Sequence, residues 1–256
     1  MVAGRPEWSD EEIMTITAAK ILKDKDTCFV GIGIPSTAAI LAKAMHAPNL
    51  FLIYESGTVN TNPKKLPLSI GDGELANEAL SVVGMPEIFN YWLQSGRIDI
   101  GFLGAAQIDK FANINTTYIG ESYKSPKVRL PGAGGATEIA GACKKVVVIL
   151  NQTKRSFVNK VDFVTSLGYG QGAGSREAYG LLGGGPSKVI TNLGILEPDP
   201  KTLELTMTHL HPGVSKEQVI ENTGWELKFS QSMKITEQPK PVELTKIREL
   251  IKTSDR

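Results

Sequence analysis

The sequence predicts an α/β fold, a single-domain open and mostly parallel sheet with helices on both faces. Three observations carry this expectation. Strand-like and helix-like segments alternate along the chain, which is the pattern of βαβ units. The apolar runs Leu50 to Tyr54 and Val146 to Leu150 show no polar alternation, as strands covered on both faces do. A length of 256 residues suits one large domain with a full core.

Taken in order, Ser9 with Glu12 forms a capping box, and Ile13, Ile16, Ile21 and Leu22 give the following helix its apolar stripe. A strand at Thr27 to Val30 leads through Gly31-Ile32-Gly33-Ile34 into a helix with Pro35 in its first turn, running to Met45. The next strand ends at Glu55. Met85 to Leu93 reads as helical, Ile98 to Leu103 as a strand, Thr137 to Ala140 as a helix start, and Val146 to Leu150 as a strand. Antiparallel strands are expected at Val189 to Asn192 and Leu203 to Leu210. Ser215 with Gln218 is a second capping box, and Gly224 is the expected end of that helix. The division expected is a main α/β domain over 1–228 and a C-terminal extension over 229–256. In the extension Leu244, Ile247, Leu250 and Ile251 share one helix face, suited to docking on the chain's own core or on another protein chain.

The net charge of +1 gives no electrostatic footprint for nucleic acid or for an acidic membrane surface. The start of the chain, Met1 to Trp8, lacks the apolar stretch of a secretory signal, and no run approaches a membrane span. Cys28 and Cys143 fit no metal or redox spacing and read as reduced core thiols. The expectation is a cytoplasmic protein.

Glu55-Ser56-Gly57 directly follows the buried run, so one carboxylate stands at the mouth of a strand, where open α/β sheets collect their ligands. Glu55 is the candidate nucleophile. Gly31 and Gly33, between a strand and a helix, offer backbone amides to an anionic atom beside it. The same motif imitates a dinucleotide fingerprint, with Glu55 on a ribose hydroxyl, but Ser36 stands where that motif expects Gly or Ala. Gly134, Gly135 and Ala136, in Pro131-Gly132-Ala133-Gly134-Gly135-Ala136, place amides at a helix start, suited to developing negative charge. A third glycine-rich stretch, Gly168 to Gly185, contains Arg176, open between an anionic ligand and a surface ion pair. Gln107, Asp109, Asn113 and Asn115 follow a strand and either line a pocket or bond their own loop. His209 and His211 lie two apart without a third ligand, His46 suits a helix end, and no metal is assigned.

Gly31-Ile32-Gly33, Glu55-Ser56-Gly57, Gln107-Ile108-Asp109 with Asn113-Ile114-Asn115, Pro131 to Gly135, and His211-Pro212-Gly213-Val214 together resemble the β subunit of family I CoA-transferases, of the glutaconate CoA-transferase type. The resemblance spans residues 10–228. It implies a CoA-transferase-like fold and a glutamate, matched by Glu55, that becomes attached first to the acyl group and then to CoA. It also implies a homologous α subunit as partner, an acyl-CoA and a carboxylic acid as substrates, and coenzyme A as a substrate with no permanently bound cofactor. The acid is glutaconate, another dicarboxylate or a 3-oxo acid. Ala112 departs from the family pattern, which often has Gly there. The rival readings are decarboxylation or hydrolysis of a CoA thioester on the same fold, whose members generally lack the glutamate, and a non-catalytic ligand-sensing domain.

Overall fold

The protein is described by a computed structural model over residues 7–254. The chain start read for a leader lies, from Met1 to Pro6, outside the described residues. Helix α1 (Asp10–Ile21) opens with the expected capping box: the Glu12 amide donates to the Ser9 hydroxyl at 3.2 Å and the Ser9 amide to the Glu12 carboxylate at 2.8 Å. Instead of one apolar stripe it is buried all round over residues 13–19, because α2 (Ile34–Met45) and the C-terminal helix both pack on it. Strand β1 (Thr27–Val30) precedes α2, and β2 (Phe51–Tyr54) follows it, both as the sequence predicts.

Beyond β2 come β3 (Thr58–Val59), α3 (Gly73–Asn77), β4 (Ser81–Val82) and α4 (Met85–Glu87). The predicted helix at Met85 to Leu93 is present, but after α4 it continues as a π-helix over Ile88–Leu93. Strand β5 (Ile100–Gly104) follows, then two small ribbons, β6 (Gln107–Ile108) with β7 (Ile114–Asn115) and β8 (Tyr118–Ile119) with β9 (Val128–Arg129). The remaining elements are α5 (Ala136–Ala142), β10 (Lys145–Ile149), α6 (Ser175–Ala178), β11 (Pro186–Ile190), β12 (Gly194–Pro198), β13 (Leu205–Leu210), α7 (Lys216–Glu221), β14 (Lys228–Ile235) and α8 (Pro241–Ser254).

Ten strands form one sheet in the order β14-β13-β12-β11-β10-β5-β1-β2-β3-β4. Its middle, from β11 to β2, is parallel throughout. The strand at Val189 therefore runs parallel to β10, and its antiparallel neighbour is β12, which the sequence reading did not pick out. Gly194 explains how β12 pairs on its far side: a Cβ there would lie 2.0 Å from the His209 carbonyl oxygen, so only glycine lets β12 approach β13 so closely. Gly224 does not end α7, whose C-cap is Asn222; its amide instead donates to the Phe157 carbonyl at 2.8 Å.

The sheet divides the core in two. Leu52, Tyr54, Cys28 and Val30 face a cluster under α1, α2 and α8, whereas Phe29, Ile53, Val146 and Val148 face a second cluster with the π-helix and α5. Residues 228–254 contribute to the same body: β14 is the far edge strand, and Leu244, Ile247 and Leu250 of α8 are buried, Leu244 and Leu250 within the first cluster. Ile251, expected on that face, is 40% exposed. Both cysteines are free and buried, and burial pushes the Cys143 thiol up to about 12.

Candidate active site

β1 has β2 on one side and β5 on the other, so the chain reverses its direction of sheet growth at β1, and the crevice beyond these carboxyl ends is the favoured ligand position. Register pairs Val30 with Tyr54, which sets Gly31 beside Glu55 at the sheet end. Side-chain alternation along β2 turns Leu52 and Tyr54 to the first cluster and Ile53 to the second, and Glu55 continues the second series.

Glu55 and Ser56 are the corner residues of a turn closed by the Gly57 amide donating to the Tyr54 carbonyl at 3.1 Å. Gly57 has φ +112°, and a Cβ there would fall 2.0 Å from the Val83 carbonyl oxygen. The turn thus requires glycine twice over, once for conformation and once for space.

Gly135 closes the site from the opposite side. A Cβ on it would lie 3.3 Å from Glu55 Cδ and 2.8 Å from Phe89 Cζ, so the Glu55 carboxyl rests against bare backbone. Gly101 makes this approach possible: a Cβ there would meet Cys143 Sγ and Ile139 Cγ2 at 2.6 Å each, so its absence lets α5 sink onto β5 and brings the start of α5 to the sheet end. The Gly132 amide and carbonyl are both held by Thr116, at 2.8 Å each, which anchors the loop. Among the described residues, no hydrogen bond or ion pair engages the Glu55 carboxylate, and the Gly134 and Gly135 amides have no protein acceptor.

The other sequence-predicted site residues have contacts of their own. The Ala136 amide is taken up by the Ala133 carbonyl at 2.9 Å. Gly33, at φ +82°, begins α2 and lines a cleft of ≈520 Å³ with Leu66, Pro67 and Ile247 on the first-cluster face. Gln107 Oε1 accepts from Asn115 Nδ2 at 2.8 Å and the Asp162 amide at 3.0 Å. Asp109 accepts from the Phe111 and Asn113 amides and from Asn113 Nδ2, and burial pushes its carboxyl above the usual range. Asp109 and Asn113 also line a cleft of ≈720 Å³ with Lys110, Phe111 and Tyr179.

Arg176 is neither an anion ligand nor a surface ion pair. It is 6% exposed, and its guanidinium donates to the carbonyls of Ala140, Leu167, Gly168 and Gly183. His211 donates from Nε2 to the Thr191 carbonyl at 2.9 Å and pairs with the Thr236 hydroxyl through Nδ1 at 2.7 Å. No group of three or more His, Cys, Asp or Glu among the described residues is placed to hold a metal ion. Phe89, whose ring edge and the Glu55 carboxyl both border the space a Cβ on Gly135 would occupy, escaped the sequence reading. Its trace there was Ile88 and Leu93, apolar five residues apart, a spacing that an α-helix splits and a π turn unites.

An unpaired carboxylate at the topological switch point of an open α/β sheet, backed by bare glycine backbone, is the layout of a group-transfer enzyme. Residues 11–222 match the family model for coenzyme A transferase. The chain is 56% identical over 243 residues to a subunit of the 3-oxoadipate CoA-transferase of Pseudomonas knackmussii, covering 95% of this chain and 93% of that one. It is 37% identical over 257 residues to a subunit of the glutaconate CoA-transferase of Acidaminococcus fermentans, covering 98% and 95%. The crystal structure of the Acidaminococcus fermentans glutaconate CoA-transferase superposes with a TM-score of 0.89 at 35% identity, covering 95% of this chain and 94% of that one. The chain belongs to the coenzyme A transferase family.

Proposed function

We propose that this chain is the nucleophile-bearing subunit of a CoA-transferase, that Glu55 carries CoA between donor and acceptor as a glutamyl-CoA thioester, and that the acid is 3-oxoadipate or a related 3-oxo dicarboxylate. The observation that carries the transfer reading is the Glu55 carboxyl, unclaimed by any described partner and resting against Gly135 at the sheet end. The 56% identity to a 3-oxoadipate CoA-transferase chain, against 37% to a glutaconate one, supports the choice of acid.

A Glu55 oxygen attacks the thioester carbonyl carbon, the C–S bond breaks, and CoA leaves as thiolate from a mixed anhydride. The thiolate then attacks the Glu55 carbonyl carbon, the donor acid leaves as carboxylate, and glutamyl-CoA remains. The acceptor carboxylate reverses both steps, so no proton is consumed and each exchange is nearly balanced. The protein therefore need only lower barriers, through proximity and preorganised dipoles. The Gly134 and Gly135 amides are the proposed donors to the developing oxyanion.

Coenzyme A enters as a substrate, and no resident cofactor is proposed. A homologous α-type subunit completes the site, a reading supported by the names of both relatives, each of which is one subunit of its enzyme. The near-neutral charge and reduced thiols support a cytoplasmic setting, and no helix of the described residues is long and apolar enough to cross a membrane.

The test is intact-mass measurement of the chain, co-expressed with its partner subunit, after incubation with 3-oxoadipyl-CoA, succinyl-CoA or glutaconyl-CoA. A CoA adduct mapped to Glu55, released by hydroxylamine and lost in a folded Glu55→Ala variant, is the expected result. Turnover retained by Glu55→Ala would sink the covalent route.

A further inference from the structure

The π-helix does not merely connect β4 to β5. Its widened turn is seen in the Gln94 amide donating to the Phe89 carbonyl at 2.8 Å and the Arg97 amide to the Trp92 carbonyl at 3.1 Å, both five residues back. Ile88 and Leu93 are fully buried on its inner side, and Trp92 stacks on Phe51 of β2 at 5.4 Å between centroids. Phe89 meets Phe29 of β1 edge-on, with centroids 6.1 Å apart and an interplanar angle of 65°. Two aromatic contacts therefore tie this helix to the two strands whose carboxyl ends form the site.

The consequence falls on Phe89. Held by Phe29 and only half-buried, its ring end fills the space that a side chain at residue 135 would occupy, and the Glu55 carboxyl borders the same space. The rim of a phenyl ring carries partial positive charge and offers no hydrogen bond, so it adjoins a carboxylate without competing for its lone pairs. It also occupies volume that water would otherwise take.

We propose that Phe89 is a positioning residue for the transfer reaction, holding the Glu55 carboxyl against Gly135 and keeping water from the glutamyl-CoA carbonyl. This inference rests on the covalent reading of Glu55. The step it suppresses is attack of a water oxygen on the glutamyl carbonyl carbon with cleavage of its C–S bond, one water proton leaving with CoA as thiol and the other going to solvent as Glu55 returns to carboxylate. The sum over the cycle is hydrolysis of the acyl-CoA. A wall of this kind protects a reactive intermediate more than it binds substrate.

The experiment uses the complex with its partner subunit, wild type, Phe89→Ala and Phe89→Leu, and compares CoA thiol release without acceptor acid against transfer with acceptor. Phe89→Ala is expected to raise the hydrolysis-to-transfer ratio roughly ten- to a hundred-fold, with KM for acyl-CoA little changed, and Phe89→Leu to restore most of the wild-type ratio. An unchanged ratio in Phe89→Ala, measured while the Glu55–CoA adduct still forms, overturns the proposal. Equal loss of transfer in both variants at a wild-type ratio reduces Phe89 to packing and overturns it as well. Absence of the adduct in the wild-type complex refutes the covalent reading itself, and is distinguished from the other outcomes by the mass of the wild-type chain alone.

Discussion

Ala112 holds φ +58°, in the left-handed region that a Cβ disfavours, at a position where the sequence resemblance led one to expect glycine. Its amide closes the turn by donating to the Asp109 carbonyl at 2.9 Å, so the turn forms without glycine and carries strain. Ala112 is also fully buried in the second cluster. In Ala112→Gly about 1–2 kcal/mol of strain relief is therefore offset by the added entropy of the unfolded chain and by about 0.8 kcal/mol of lost methyl burial. The unfolding free energy from denaturant titration is expected to stay within about 1 kcal/mol of wild type. Arg176 shows the converse, a residue whose role the sequence concealed. Its acceptors are backbone carbonyls from four positions, and nothing in the order of side chains announces them. Arg176→Lys, which cannot span those carbonyls with a single ammonium, is expected to cost about 3 kcal/mol in equilibrium unfolding. Glu55, by contrast, was legible because its signal is local: a carboxylate at the end of an unbroken apolar run.

At the level of elements, the strands and helices with local markers were readable. A capping box marked α1, another marked α7, and a first-turn proline marked α2. β14 was not readable, because its lysines and serines suit an exposed edge strand and its register comes only from pairing with β13. The junction of these elements supplies a pH prediction. His211, just beyond β13, bonds Thr191 beyond β11 and Thr236 beyond β14, and burial lowers its pKa from 6.5 to about 4. The unfolded chain therefore binds the proton first on acidification. The stability this neutral imidazole contributes is whole above pH 6.5 and is lost as the pH falls towards 4. Between roughly pH 7 and pH 5 the wild type is expected to lose about 2 kcal/mol more unfolding free energy than His211→Gln, in paired denaturant titrations. Equal losses would show that the titrating group lies elsewhere.

For the whole molecule, a single covalent carrier visited in turn by donor and acceptor predicts parallel lines in double-reciprocal initial-rate plots, and intersecting lines would count against it. The parallel core and the position of Glu55 at a strand end were legible because each rests on apolar runs. The convergence of Phe89 and Glu55 on Gly135 was not, since it joins segments far apart in sequence through the packing of α5 and a π turn. The division of the core by the sheet has a practical meaning for protein engineers. The Gly135 backbone that borders the Glu55 carboxyl belongs to the π-helix and α5 side, so substitutions in the core beneath α1, α2 and α8 leave that approach untouched. A directed-evolution campaign confined to that first core can therefore seek a higher unfolding midpoint without disturbing the packing of α5 and the π-helix around Gly135.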